Sequence, residues 1–185
     1  VVEQPQRPHG PLALLLAGCV SKHQAVQAPD NMAVSVASSM AVLDSTEIAG
    51  VPEALADGIV GLCSERNLTP KAVAPASFTE AFATKRTTQH RLALLADVST
   101  DTDLLLLVET TVAYYSQMNG RYRWTIEVDA TISPRNDLSQ AFSAQFQVPV
   151  FLEHYHEKEA AALAAGQPLL ERRLGALLDA YLGGL

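Results

Sequence analysis

From Arg121 to Ile132 apolar and polar residues alternate without a break. Tyr122, Trp124, Ile126, Val128, Ala130 and Ile132 fall on one side, and Arg121, Arg123, Thr125, Glu127, Asp129 and Thr131 on the other. Period two over that length predicts a strand with one face in a core. Asn119-Gly120, just before it, is the preferred pair for a two-residue hairpin turn, because both residues tolerate positive φ. Upstream, Leu104–Val108 is a continuous apolar run, as expected of a strand buried on both faces, and it continues through Tyr114-Tyr115. Downstream, Ser133-Pro134-Arg135-Asn136-Asp137 turns the chain, and Ala141–Val150 reads as the third strand of a meander.

The remaining pattern adds a strand from Met32 to Leu43, ending at Asp44-Ser45-Thr46, and a helix opened by Gly50-Val51-Pro52-Glu53. In that helix Leu55, Ile59, Leu62 and Cys63 share one apolar face. A short strand follows at Lys71–Ala76. Ser77-Phe78-Thr79-Glu80 has the form of a capping box, predicting a helix that breaks near Thr87-Thr88 and resumes over Gln89–Asp97 with Leu92, Leu95 and Ala96 inward. The last segment, Glu153–Leu185, reads as two helical pieces interrupted at Gly166-Gln167-Pro168, with Leu170, Leu174, Leu177, Leu178 and Tyr181 as the apolar stripe of the second. The expected fold is α/β (α+β): a mixed sheet with a C-terminal three-strand antiparallel meander and helices packed on it, in the order β-α-β-α-β-β-β-α.

Periodicity begins only near residue 32. Residues 1–18 read as a targeting segment, 19–32 as a tether and 33–185 as a single domain. Composition supports a globular domain: 48% of the 185 residues are hydrophobic and 18% charged, and the formal net charge is -7. An acidic surface argues against nucleic acid, whose binding is driven by cationic side chains releasing counterions. No run approaches the ~18 apolar residues of a membrane-spanning helix.

Few side chains suggest chemistry. His154-Tyr155-His156-Glu157 is the one cluster of potential metal ligands; two histidines at spacing two can face one way on a strand, but no third ligand is identifiable, and a solvated junction is the expectation. His90, among polar neighbours, is also expected in solvent. Glu109, Glu127 and Asp129 lie in adjacent expected strands, and paired carboxylates can cleave glycosides; the polar face of an alternating strand is equally where solvated acids sit. Arg121-Tyr122-Arg123-Trp124 mixes cations with rings as single-strand binders do, but alternation sends the two kinds to opposite faces. Cys63, on an apolar helix face, is expected to be a buried, inert thiol. No nucleophile elbow, phosphate-binding glycine loop or His-Glu-x-x-His helix is present, and no cofactor is expected.

Leu16-Ala17-Gly18-Cys19 closes the apolar run Leu12–Leu16 and resembles the lipobox of bacterial lipoproteins. The resemblance implies cleavage before Cys19, a diacylglyceryl thioether on its thiol and, usually, an acyl chain such as palmitate on the new amino terminus. Cys63 would then be the remaining thiol, and a disulfide between the two cysteines is excluded. Val20, where enteric lipoproteins kept at the inner membrane carry Asp, points to the outer membrane. The element order, carried by the strand ending Ala41-Val42-Leu43-Asp44, the helix from Pro52 and the Asp103–Val108 strand with its Asn119-Gly120 hairpin, is similar to that of small α/β domains of envelope proteins. These are the penicillin-binding-protein activator lipoproteins, the curli-secretion lipoprotein and the N-terminal domain of the Tol-system periplasmic protein.

The resulting expectation is a non-enzymatic accessory or assembly factor. Lipid on Cys19 would anchor it to the periplasmic face of the outer membrane, and it would contact an envelope protein partner through edge strands or the outer face of its last helix. A glycan or peptidoglycan hydrolase using Glu109, Glu127 or Asp129 is the first alternative. A cytosolic ligand-binding α/β domain, with residues 12–17 in its core, is the second.

Overall fold

The structure is a computed structural model that describes residues 25–28, 31–42, 46–85, 87–154 and 159–184. Its strands are β1 (Ala33–Ala41), β2 (Ile48–Gly50), β3 (Thr69–Ala72), β4 (Leu104–Met118), β5 (Arg121–Pro134) and β6 (Phe142–Leu152); its helices are α1 (Glu53–Ser64), α2 (Thr79–Thr84), α3 (Thr88–Val98) and α4 (Glu159–Leu182). The expected order is present, with the three-residue β2 added. β1 lies parallel to β4, and β4, β5 and β6 form the antiparallel meander, giving the order β2-β1-β4-β5-β6. β3 runs parallel to the first half of β1 on the side where β2 pairs with its second half.

The hairpin forms as its sequence requires. Asn119 has φ 51° and Gly120 φ 77°, both in the left-handed region. The apolar side of β5 becomes the main core: Trp124, Ile126, Val128, Ala130 and Ile132 are buried with Leu104, Leu106 and Val108 of β4 beneath α1 and α4. Leu105 and Leu107 point the other way, into a second cluster with Phe78, Phe82, Leu92 and Leu95 from α2, α3 and the turn before them. Burial of the Leu104–Val108 run on both faces thus has a helix pair on each side as its cause.

Two expectations fail. The Ser77–Glu80 capping box does not form: Pro75–Ser77 is a 3-10 turn, Phe78 occupies the cap position of α2, and no side chain bonds a free amide there. Phe78 is buried against Phe82, their ring centroids 4.9 Å apart, so packing of that ring takes the place of the serine cap. The second is α4, which continues through Gly166-Gln167-Pro168 as one helix. Proline withholds an amide from the carbonyl four residues earlier. That residue, Ala164, and Pro168 itself are both exposed, so water can satisfy the carbonyl. On the opposite side Gly166 is buried against the sheet, where a Cβ would stand 2.4 Å from Ile126 Cδ1. Gly166 therefore serves close helix–sheet approach rather than a break.

Candidate functional site

The helix pair α2–α3 covers only half of the second sheet face. Beyond Glu109, which lies at the foot of α3, the strands β4, β5 and β6 run on with no helix described above them, and the register sets their outward side chains in rows. Nearest α3 lie Glu109, Asp129 and Gln145; then Thr111, Glu127 and Gln147; then Ala113, Thr125 and Pro149; and last, beside the hairpin, Tyr115, Arg123 and Phe151.

The three carboxylates singled out by sequence therefore do meet. Glu109 stands directly opposite Asp129, which places their Cβ atoms about 5 Å apart, and Glu127 lies diagonally one row on. Their surroundings differ. Glu109 is largely buried at the foot of α3, where Oε1 accepts from Arg91 Nη1 and Oε2 from Thr88 Oγ1. Glu127 accepts a bond of 3.0 Å from Gln147 Nε2. Asp129 has no hydrogen-bond or ion-pair partner among the described residues. Around it are two open depressions of about 340 and 420 Å³, lined chiefly by Glu127, Gln145, Gln147, Thr88, Thr131 and Ser143. Glycoside cleavage by two carboxylates needs one of them free to deliver a proton; Glu109, with both oxygens engaged by α3, is a structural ion-pair member.

The other end of the face was not foreseen. Alternation within β5 does separate Arg123 from Trp124, which is buried on the core side with Tyr114 edge-on to it, centroids 5.7 Å apart. However, β4 bulges between Tyr114 and Ser116, so two residues oppose Arg123. The bulge turns Tyr115 onto the open face, where Arg123 Cζ lies 4.5 Å from the ring centroid. Phe151, 50% exposed, sits opposite Arg123 on β6, and Tyr115 is 66% exposed. The Tyr114-Tyr115 doublet, which breaks the period of two just before the turn, was the available signal.

The outer edge of β6 is partly closed. Arg173 Nη1 on α4 donates to the Gln147 carbonyl at 2.9 Å, so that carbonyl faces away from β5. By strand geometry the missing amide of Pro149 falls on the same outer edge, where proline is tolerated and pairing is interrupted.

Cys63 is fully buried on α1, and burial pushes its thiol up to about 12, the charge of Arg66 opposing this only in part. It is inert. His90 and His154 are exposed, and the rest of the His154–Glu157 cluster lies outside the described residues. Among the described residues no group of three or more His, Cys, Asp or Glu could hold a metal ion, and no helix is long and apolar enough to cross a membrane.

Cys19 and the whole of Leu16–Cys19 also lie outside the described residues. The chain is described from Ala25 and is already docked there: Val26 N donates to Asp179 Oδ1 at 2.9 Å and Ala28 N to Arg66 O at 2.9 Å, with Ala28 buried. Arg66, itself buried, ties this corner together by donating to Asp179 at 2.9 and 3.1 Å, to Gly175 O at 3.1 Å and to Leu62 O at 2.9 Å. Between α1 and α4 at this corner runs a groove of about 660 Å³, lined by Leu62, Pro168, Gly175 and Ala176 with Glu171 and Arg172 on its rim.

No protein-family model matches the chain, and no curated protein matches it. Solved structures do. The hypothetical protein CT253 from Chlamydia trachomatis aligns over 83% of this chain and 96% of its own at 13% identity, with a TM-score of 0.50. Protein XCC0632 from Xanthomonas campestris aligns over 85% and 90% at 14% identity and a TM-score of 0.44. Lipoprotein GNA1162 from Neisseria meningitidis aligns over 78% and 99% at 14% identity and a TM-score of 0.43. At these identities the comparison with CT253 establishes a shared fold, a mixed sheet carrying helices on both faces.

Proposed function

We propose that this chain is a lipid-anchored protein of the bacterial envelope, held by acyl chains on Cys19 at the periplasmic face of the outer membrane. In this reading it is a non-enzymatic accessory or assembly factor that binds another envelope protein. The observation that carries the reading is the spacing between Leu16-Ala17-Gly18-Cys19 and the docked residues. Fully extended, the stretch from Cys19 to Ala25 reaches at most about 20 Å, so an anchor on Cys19 keeps the α1–α4 corner close to the bilayer. Diacylglyceryl and N-acyl chains together supply the multiple hydrocarbon chains that stable anchoring requires.

The α1–α4 groove, with its apolar floor and mixed-charge rim, suits an apolar helix of the envelope partner. The edge of β6 suits it less, given Pro149 and the Arg173 contact. A hydrolase acting through Glu109, Glu127 or Asp129 is disfavoured by the engagement of Glu109 with Arg91 and Thr88.

Membrane fractionation tests the anchor. Wild-type protein is expected in the outer-membrane fraction after alkaline carbonate washing, with Cys19→Ser released to the soluble fraction. Retention of Cys19→Ser in washed membranes at the wild-type level would contradict the proposal.

A further inference from the structure

The fold satisfies the arginines it draws out of water, with one exception among the described residues. Buried Arg66 donates to Asp179 and to two carbonyls, half-buried Arg91 to Glu109, and half-buried Arg135 through Nε to the Ala96 carbonyl at 3.2 Å. Arg123 is also half-buried, yet its guanidinium meets no carboxylate among the described residues, and its Nε is a buried donor without an acceptor. A shielded donor left unmade is costly. The Tyr115 ring, 4.5 Å from Cζ, fixes the plane of the fork. On the other side of Arg123 the exposed Phe151 stands opposite it on β6, and exposed Arg121 lies two residues away on the same side of β5. Glu153, which follows β6, forms an ion pair with neither arginine.

We infer that the hairpin end of the open face docks an acidic segment of a partner protein, with a carboxylate on the Arg123 fork and apolar side chains of the same segment against Tyr115 and Phe151. A carboxylate matches the two-pronged donor geometry of a guanidinium and pairs with it bidentately. The stack on Tyr115 holds the fork already oriented, so less is lost in ordering it on binding. Neighbouring strands lie about 4.8 Å apart, which sets the two rings about 10 Å apart with the cation between them. Tyr, Arg and Phe are also residues that protein interfaces favour. Charge is complementary at this end alone. Toward α3 the same face carries Glu127 and Asp129, which repel an acidic segment and direct it to the hairpin end. A bilayer surface fits less well. The turn itself is the polar pair Asn119-Gly120, and Tyr122 and Trp124 belong to the core side, so the hairpin has no apolar tip to insert. The inference depends neither on the lipid on Cys19 nor on what fills the α1–α4 groove.

Panning a random peptide library on the purified Cys19→Ser chain, followed by fluorescence anisotropy of the most enriched peptides, tests it. Peptides with Asp or Glu between apolar residues are expected. Their affinity should fall at least about tenfold in Arg123→Gln, and equally when the peptide's acid is replaced by its amide. Arg123→Glu should reject the acidic peptide and bind its Lys counterpart to within about threefold of the parent pair, which a misfolded chain would not do. A library that yields no acid-dependent peptide overturns the inference. So do acidic peptides whose affinity Arg123→Gln leaves unchanged. Arg123-dependent binding to phosphatidylglycerol vesicles without any acid-dependent peptide also overturns it, since the surface would then be a lipid contact.

Discussion

Cys63 illustrates how burial decides the chemistry of a single side chain. Its neighbours on α1 and the α4 stripe exclude water, so the thiol keeps its proton to about 12 where an ordinary thiol loses it near 9. The linkage has a definite sign. The unfolded chain releases the proton first as pH rises, so the contribution of the neutral thiol is intact below about pH 9 and is lost between there and about pH 12. Comparing urea unfolding of the parent and Cys63→Ala at pH 8 and pH 10.5 should show the parent's advantage shrinking by roughly 2 kcal/mol, other titrations cancelling in the difference. An advantage that is constant or grows would contradict the sealed site. That Cys63 is buried was legible from its place four residues after Ile59. The grip of Arg66 on Asp179 and on the Gly175 carbonyl was not, because partners more than a hundred residues apart leave no local pattern.

At the scale of elements, sequence periodicity served best where one physical requirement acted alone. The alternation of β5 and the left-handed turn at Asn119-Gly120 each follow from a single rule, and both are present. Gly120→Ala, which forces a Cβ into φ 77°, should destabilise the fold by about 1 kcal/mol in chemical denaturation; an unchanged midpoint would mean that the turn relaxes into another type. Reading failed where two requirements competed. Ser77–Glu80 had the residues of a capping box, but burial of Phe78 set the local backbone. Gly166 and Pro168 looked like a break, yet one faces the sheet and the other faces solvent, so the helix satisfies both. The Tyr114-Tyr115 doublet marked a bulge that only the pairing with Arg123 makes visible.

For the whole molecule, the sheet order could not be read from the chain. The parallel pairing of β1 with β4 crosses seventy residues, and it is the register of the meander that sets Glu109 beside Asp129 and gathers Tyr115, Arg123 and Phe151.

The central claim, that the folded domain hangs from a lipid on Cys19, is tested most directly by intact mass spectrometry of the protein extracted from membranes. The account predicts a chain beginning at Cys19 that carries the added mass of diacylglyceryl and N-acyl groups, absent in Cys19→Ser. A wild-type chain that retains residues 1–18 and carries no lipid mass would contradict it.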